Sequence, residues 1–208
     1  YQDFDLLENK IEEGEKIEPA FFLPIVPTVI LNGSSGIAVG FATNILNRNP
    51  KDVVESCISV LSNKKIKTLS PWINEFIGTF TRDLENPKTW KIHGKYEIVN
   101  TTTVKITSIP PNYTYERYEE ILNLLMEKDV IVSYDDNSSE TIEYILKFKR
   151  SILNDLVSKD KLVSALRLST QETENLTTID ENGELKIFDR AEDIVTHFVG
   201  VRLKWYQV

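Results

Sequence analysis

The sequence predicts an α+β protein in which a mainly antiparallel sheet is flanked by helices. Residues 90–99 and 102–107 alternate apolar and polar side chains about Asn100-Thr101, as two strands joined by a tight turn do. Residues 176–179 and 185–188 repeat that pattern around Asp180-Glu181-Asn182-Gly183. Residues 50–62, 114–128 and 190 onward instead place apolar side chains at helical spacing.

Composition bounds the possibilities. A chain of 208 residues with 41% hydrophobic residues can bury a sizeable core, in one large domain or one plus an appendage. Its apolar runs are too short and too proline-broken to span a bilayer, and no charged-then-apolar leader opens it. An opening on Tyr-Gln without methionine reads as a fragment. The single cysteine, Cys57, excludes an internal disulfide and at its helical spacing reads as a core thiol. The net charge of −8 weighs against nucleic-acid binding. Its distribution softens that objection, because Asp3, Asp5, Glu8, Glu12, Glu13, Glu15 and Glu18 crowd the start against only Lys10 and Lys16. Binding through one basic face needs only local positive potential.

Residues 1–17 are polar and weakly patterned, and read as a surface connector. Residues 21–30 are apolar and marked by Pro24 and Pro27, an extended strand leading into the next stretch. That stretch, Asn32-Gly33-Ser34-Ser35-Gly36-Ile37-Ala38-Val39-Gly40, is an uncharged loop that lets a backbone or a polyanion come close. Ile37 is its anomaly, a bulky β-branched residue between Gly36 and Ala38. One reading is a wedge pushed between base pairs from the minor groove. The other is a core isoleucine anchoring a glycine-rich turn.

Pro50 marks the first turn of a helix to about residue 62, with Val53, Val54, Cys57, Ile58 and Leu61 inward. Arg48, just before it, is either a phosphate contact or a solvated loop charge. Lys64-Lys65-Ile66-Lys67 reads equally as a phosphate contact or a solvated helix exit, and Trp72 as core. From Phe76 to Ile109 the period changes to two, and the polar face of this region carries Lys88, Lys91, Lys95 and Lys105, with His93 and Tyr96 interleaved. Such a face suits a duplex-tracking surface, and also the solvated side of a half-buried sheet. His93 and His197 stand too far apart in sequence to suggest a metal site.

Thr114 begins a helix to about Lys128, with Tyr118, Ile121, Leu122, Leu125 and Met126 inward. Asp135-Asp136-Asn137-Ser138-Ser139 is a loop without the ligand spacing of a calcium site. Ile142, Tyr144, Leu146 and Phe148 alternate along a further strand, where Lys147 and Lys149 share a face followed by Arg150. They offer a second phosphate surface or the lysine protection of a sheet edge. Residues 151–167 are helical, the hairpin around Asp180 follows, and Asp189 caps a last helix with Ile194, Phe198, Val201 and Trp205 in register.

The run Glu18-Pro19-Ala20-Phe21-Phe22-Leu23-Pro24-Ile25-Val26-Pro27 followed by Asn32-Gly33-Ser34-Ser35-Gly36-Ile37-Ala38-Val39-Gly40 resembles the cleavage-and-rejoining part of type IIA DNA topoisomerases. The approach looks eukaryotic and the glycine stretch looks like the bacterial gyrase A type, a mixture similar to the medium subunit of large tailed phages. Pro71-Trp72 and Gly78-Thr79 resemble the start of that family's tower domain, and Ile106-Thr107-Ser108-Ile109-Pro110 its Ile-Thr-Glu-Leu-Pro, with Ser108 in place of the glutamate. The ending from Val199 to Gln207 resembles the entry to its coiled-coil arm.

The resemblance implies a connector from the winged-helix domain over residues 1–24, a tower domain over 25–198 and the root of the coiled coil over 199–208. It implies a DNA-binding and DNA-bending fragment of an ATP-dependent enzyme that cuts, passes and reseals double-stranded DNA. Ile37 matches the intercalating isoleucine, and Asn32, Gly33, Ser34, Ser35 and Gly36 the DNA-facing loop around it. Patterning alone adds Lys91, Lys95, Lys147 and Lys149 as holders of the bent arms. Tyr1 lacks the preceding arginine and the spacing of the attacking tyrosine, so that nucleophile is expected outside this chain. Mg2+ and ATP belong to other domains or subunits, and the partners implied are double-stranded DNA and an ATPase/metal-binding subunit or domain. The full enzyme would be a homodimer in a host cytoplasm, away from membranes, and this fragment a monomer. The competing reading is a structural or protein-interaction module without DNA binding of its own, using the acidic start and the Trp205 helix.

Overall fold

The structure, a computed structural model, describes residues 7–19 and 22–207. It is α+β, and every strand pairing among the described residues is antiparallel. The chain divides into two compact units, one built from residues up to 73 and from 174 onward, the other from residues 74–173.

In the first unit, β1 (Asn9–Glu12) and β2 (Glu15–Pro19) form a hairpin where a plain connector was expected. Glu13 and Gly14 turn it at φ of 52° and 88°. Next comes α1 (Thr28–Asn32), a single turn in place of the expected strand. Pro27 presets the entry, its carbonyl accepts the Ile30 and Leu31 N–H groups, and Ile30 is fully buried. Tertiary burial here outweighs the strand preference of Thr28, Val29 and Ile30. Phe21, also assigned to that strand, lies outside the described residues. The glycine-rich stretch is likewise a hairpin and not a loop, β3 (Ser34–Ala38) paired with β4 (Phe41–Ile45).

The helix α2 (Pro50–Leu61) has the expected bounds, with the Asn49 side chain accepting the Lys51 N–H at its start. Its inward face differs from the expected one: Val53 and Ser56 are buried, whereas Val54, Ile58 and Leu61 are exposed. Cys57 is half-buried beside the core, and burial pushes its thiol pKa up. Trp72, expected in the core, is 36% exposed.

The second unit holds two sheets. The elements β5 (Thr79–Arg82), β6 (Thr89–His93), β7 (Lys95–Asn100) and β8 (Thr103–Ser108) come first, followed by α3 (Tyr115–Glu127). Then come β9 (Ser133–Asp136), β10 (Tyr144–Lys147), α4 (Arg150–Ser158), α5 (Leu162–Ala165) and β11 (Ser169–Thr173). One sheet runs β7-β8-β10-β9, the other β11-β6-β5. The continuous strand expected over residues 90–99 is cut at Gly94 into members of different sheets. A side chain at Gly94 would come within 2.4 Å of the Ser108 carbonyl oxygen, so only glycine passes there. Asp135 and Asp136 belong to β9 and not to a loop. Because β10 is internal, Lys147 is not an edge guard. The helix α3 carries the expected Thr114 cap, and Tyr118, Ile121, Leu122 and Leu125 pack with Val104, Ile106, Tyr144 and Leu146 in one core.

The chain then returns to the first unit as the hairpin β12 (Thr177–Ile179) and β13 (Leu185–Ile187), followed by α6 (Ala191–Trp205). The expected Asp189 cap is displaced: Arg190 occupies the cap position without a side-chain cap bond. Ile194, Val195 and Val199 of α6 join Ile30, Ile45, Val53, Leu69 and Leu176 in this unit's core.

Candidate nucleic-acid interface

The candidate site is the hairpin β3–β4, whose two strands are joined by Val39 and Gly40. Gly40, with φ of 86°, takes the left-handed position of the turn. The register sets Ile37 opposite Ala42 and Ala38 opposite Phe41. Ser35, Ile37, Ala42 and Asn44 therefore share one face, and Ser34, Gly36, Ala38, Phe41, Thr43 and Ile45 the other. With alanine across from it and Gly36 and Ala38 beside it, Ile37 meets no large neighbour on its strand pair and is 94% exposed. The reading of Ile37 as a core anchor is thereby excluded. Val39 and Phe41 are also exposed near the tip.

The hairpin's base is fixed as firmly as its tip is open. Gly33 precedes β3 at φ of 68°, where an added side chain would lie 2.5 Å from Asn47 Oδ1 and 2.7 Å from the Ile45 carbonyl oxygen. Asn44 and Asn175 exchange two backbone hydrogen bonds of 2.9 Å each, tying β4 to the segment that leads into β12. Arg48 is neither a phosphate contact nor a solvated charge, being wholly buried and ion-paired to Glu174 at 2.7 Å. Sequence reasoning missed this pair, and no local signal could have found it. Its partners stand 126 residues apart.

Beside the hairpin lies an open, mainly apolar groove of about 1000 Å³, whose walls include Phe22, Pro27, Gly36, Ala38, Phe41, Phe188 and Phe198. From Asn32 to Asn47 no side chain is charged, so the approach of a polyanion meets no repulsion from the hairpin itself. Asn32 and Ser35 are exposed and Ser34 is half-buried.

The four lysines lie in the other unit and are not one cluster. Lys95 pairs in register with Ser108 and Lys147 with Thr103, at opposite ends of β8. Lys91 is on β6 of the second sheet, its ammonium 2.7 Å from Asp83. That lysine's hydrogen bond, aided by the Asn86 and Glu85 N–H groups, holds the Asp83 carboxyl down at about 2, and Asp83 in turn raises the Lys91 pKa. Lys147 donates to Thr103 Oγ1 at 3.1 Å, and Lys149 is 3.4 Å from Asp129. Lys105, on the same sheet face as Lys147, is ion-paired with Glu143. The face thus mixes signs, with the Lys95 side chain exposed and its ammonium without a hydrogen bond or ion pair among the described residues. His93 lies on β6, and His197 bonds Lys186 and Glu181 in the first unit. Among the described residues no three His, Cys, Asp or Glu side chains converge to hold a metal ion, and no helix is long and apolar enough to cross a membrane.

The family model for the A subunit of DNA gyrase/topoisomerase IV matches residues 2–208. The mitochondrial DNA topoisomerase 2 of Dictyostelium discoideum is 32% identical over 98% of the chain, and the DNA topoisomerase medium subunit of Enterobacteria phage T4 is 33% identical over 94%. The chain spans only 16% and 45% of those two proteins. Among solved structures, the DNA-binding, cleavage and re-ligation domain of Plasmodium falciparum topoisomerase II superposes with a TM-score of 0.85 at 29% identity, over 99% of this chain and 28% of that one.

Proposed function

The chain belongs to the family of DNA gyrase and topoisomerase IV A subunits, and from that premise we propose that it is a DNA-binding and DNA-bending segment of a type IIA DNA topoisomerase. The observation that carries this reading is Ile37, 94% exposed with only Gly36, Ala38 and Ala42 around it on its strand pair. Leaving an isoleucine in water forgoes about 1.5–3 kcal/mol of burial. Insertion between base pairs recovers part of that. Kinking a short duplex costs roughly 1–6 kcal/mol and unstacking a step adds a few more, so the wedge acts together with contacts to the flanking phosphates. Asn32, Gly33, Ser34, Ser35 and Gly36 line the wedge, and Lys91, Lys95, Lys147 and Lys149 hold the arms, with Lys91, Lys147 and Lys149 exchanging their present partners for phosphate.

In this reading residues 25–198 are the tower, residues 1–24 the connector from the winged-helix domain, and residues 199–208 the root of the coiled coil. The parent enzyme cuts, passes and reseals double-stranded DNA at the expense of ATP, as a homodimer working with an ATPase/metal-binding subunit or domain in the host cytoplasm. The attacking tyrosine is on another part of that enzyme. Tyr118 and Tyr144 are fully buried here and cannot reach DNA. Mg2+ and ATP are handled elsewhere in the assembly.

A second reading, an interaction module without DNA binding, draws support from Ile179, Leu185 and Ile187, which leave one face of β12–β13 apolar and exposed. A duplex carrying 2-aminopurine at successive steps separates the two. Binding that unstacks one step, in the wild type and not in Ile37→Ala, supports the wedge. Fluorescence unchanged at every step, with DNA bound, excludes it.

A further inference from the structure

Arg48 and Glu174 form a buried pair whose side-chain hydrogen bonds converge on the foot of β4 in the β3–β4 hairpin. The side chains are 0% and 3% exposed. Arg48 Nη2 donates to Glu174 Oε2 at 2.7 Å, Nη1 to the Leu46 carbonyl at 2.6 Å and Nε to the Leu69 carbonyl at 2.8 Å. Glu174 Oε1 accepts the Leu46 N–H at 2.9 Å. Both backbone groups of Leu46, the first residue past β4, are therefore held by the pair. The other leg is reached by the backbone alone: the Arg48 N–H donates to the Ile30 carbonyl at 2.8 Å, in the helix that Gly33 ends before β3, a bond that every side-chain variant at this position keeps. Asn175, next to Glu174, extends the grip by its paired bonds with Asn44.

A hydrophobic contact at this place would fill space equally well but would not fix direction. Several charge-assisted bonds in a dry site fix both position and angle. We propose that Arg48 and Glu174 are positioning residues: they set the projection of the hairpin, and so the depth and angle at which Ile37 meets the duplex. This rests on the wedge reading of Ile37, and its test is arranged so that either can fail alone.

The informative variant is Arg48→Met/Glu174→Met. Replacing a buried ion pair by apolar residues of similar volume is commonly neutral or stabilising, so this protein is expected to keep its thermal midpoint. Arg48→Lys keeps the charge and loses the planar fork. Spin labels at Val39→Cys and Leu61→Cys, in a Cys57→Ser background, report the distance between hairpin tip and α2 by pulsed electron paramagnetic resonance without DNA. The expected result is a narrow distribution in the parent, one about twofold broader in the double variant, and an intermediate one in Arg48→Lys. With labelled duplex and unlabelled protein, the double variant should lose bending while affinity changes by less than about threefold, because phosphate contacts set affinity. A distribution as narrow as the parent's in the folded double variant overturns the proposal. So does a broadened tip that bends DNA as the parent does. If the double variant fails to fold, Glu174→Gln carries the same two readouts. In Ile37→Ala the distribution should stay narrow while bending falls; bending that does not fall removes the wedge reading, and the tip distances still decide whether the pair orients the hairpin.

Discussion

Ile37 stands directly across the hairpin from Ala42, and neither residue is covered by the rest of the chain. Truncating Ile37 therefore removes no core contact. Ile37→Ala should change unfolding free energy by less than about 0.5 kcal/mol in urea titration, as for surface substitutions generally. A loss of about 2 kcal/mol or more, on the scale of a buried residue, would show that the side chain is packed after all.

Gly33 and Gly40 both have positive φ and are expected to respond differently to alanine. At Gly40 nothing lies within 4 Å of an added methyl, so the cost is that of the left-handed backbone, about 1 kcal/mol. At Gly33 the methyl also meets Asn47 and the Ile45 carbonyl, and Gly33→Ala should cost clearly more and disturb the hairpin's base. Thermal unfolding of the two variants side by side checks the order.

Lys91 contributes to phosphate binding only if it can leave Asp83. Asp83→Asn should steepen the fall of log K with log salt by about one, and Lys91→Ala should flatten it by a similar amount. The pair also has a pH window. The Asp83 pKa is depressed, so its stabilisation is present above the ordinary carboxylate range and is lost as pH falls toward about 2. The Lys91 pKa is raised, so its share is present below the ordinary lysine value and is lost as pH rises through the raised one. Lys91 faces solvent and Asp83 is partly covered, and salt weakens the pair throughout. Carboxyl titration followed by NMR should find Asp83 well below the exposed Asp residues in the wild type and near them in Lys91→Ala.

The aromatic core of the second unit offers a paired control. Tyr118 Oη donates to the Leu166 carbonyl at 2.9 Å, whereas the buried Tyr144 Oη has no hydrogen-bond partner among the described residues. Burial accordingly pushes the Tyr144 hydroxyl pKa up to about 12. Tyr118→Phe should cost about 1 kcal/mol, and Tyr144→Phe should be neutral or stabilising. Equal losses in both would mean that Tyr144 is satisfied in solution.

What was legible in the sequence was what local chemistry decides. Thr114 capping α3, Pro50 starting α2 and the Asn182-Gly183 turn of β12–β13 all act within a few residues of themselves. The glycine stretch stands out by composition and by its family resemblance, but its shape does not, because Ser34, Gly36 and Ala38 have no period-two signal to announce a strand. Its pairing is enforced from outside, by Asn175 and by Glu174. Arg48 misled for the same reason: a charge beside an asparagine-rich segment looks solvated until a distant carboxylate folds over it. At Gly94 the alternation continues unbroken while the chain changes sheets, since the signal reports burial and not which sheet is joined.

Bending of a doubly end-labelled duplex by the 208-residue chain, read by fluorescence energy transfer with Ile37→Ala beside it at low and at physiological salt, is the most direct test of the wedge. The account predicts bending that weakens as salt rises and drops in the variant while most of the affinity remains. Equal bending by the two proteins would contradict it.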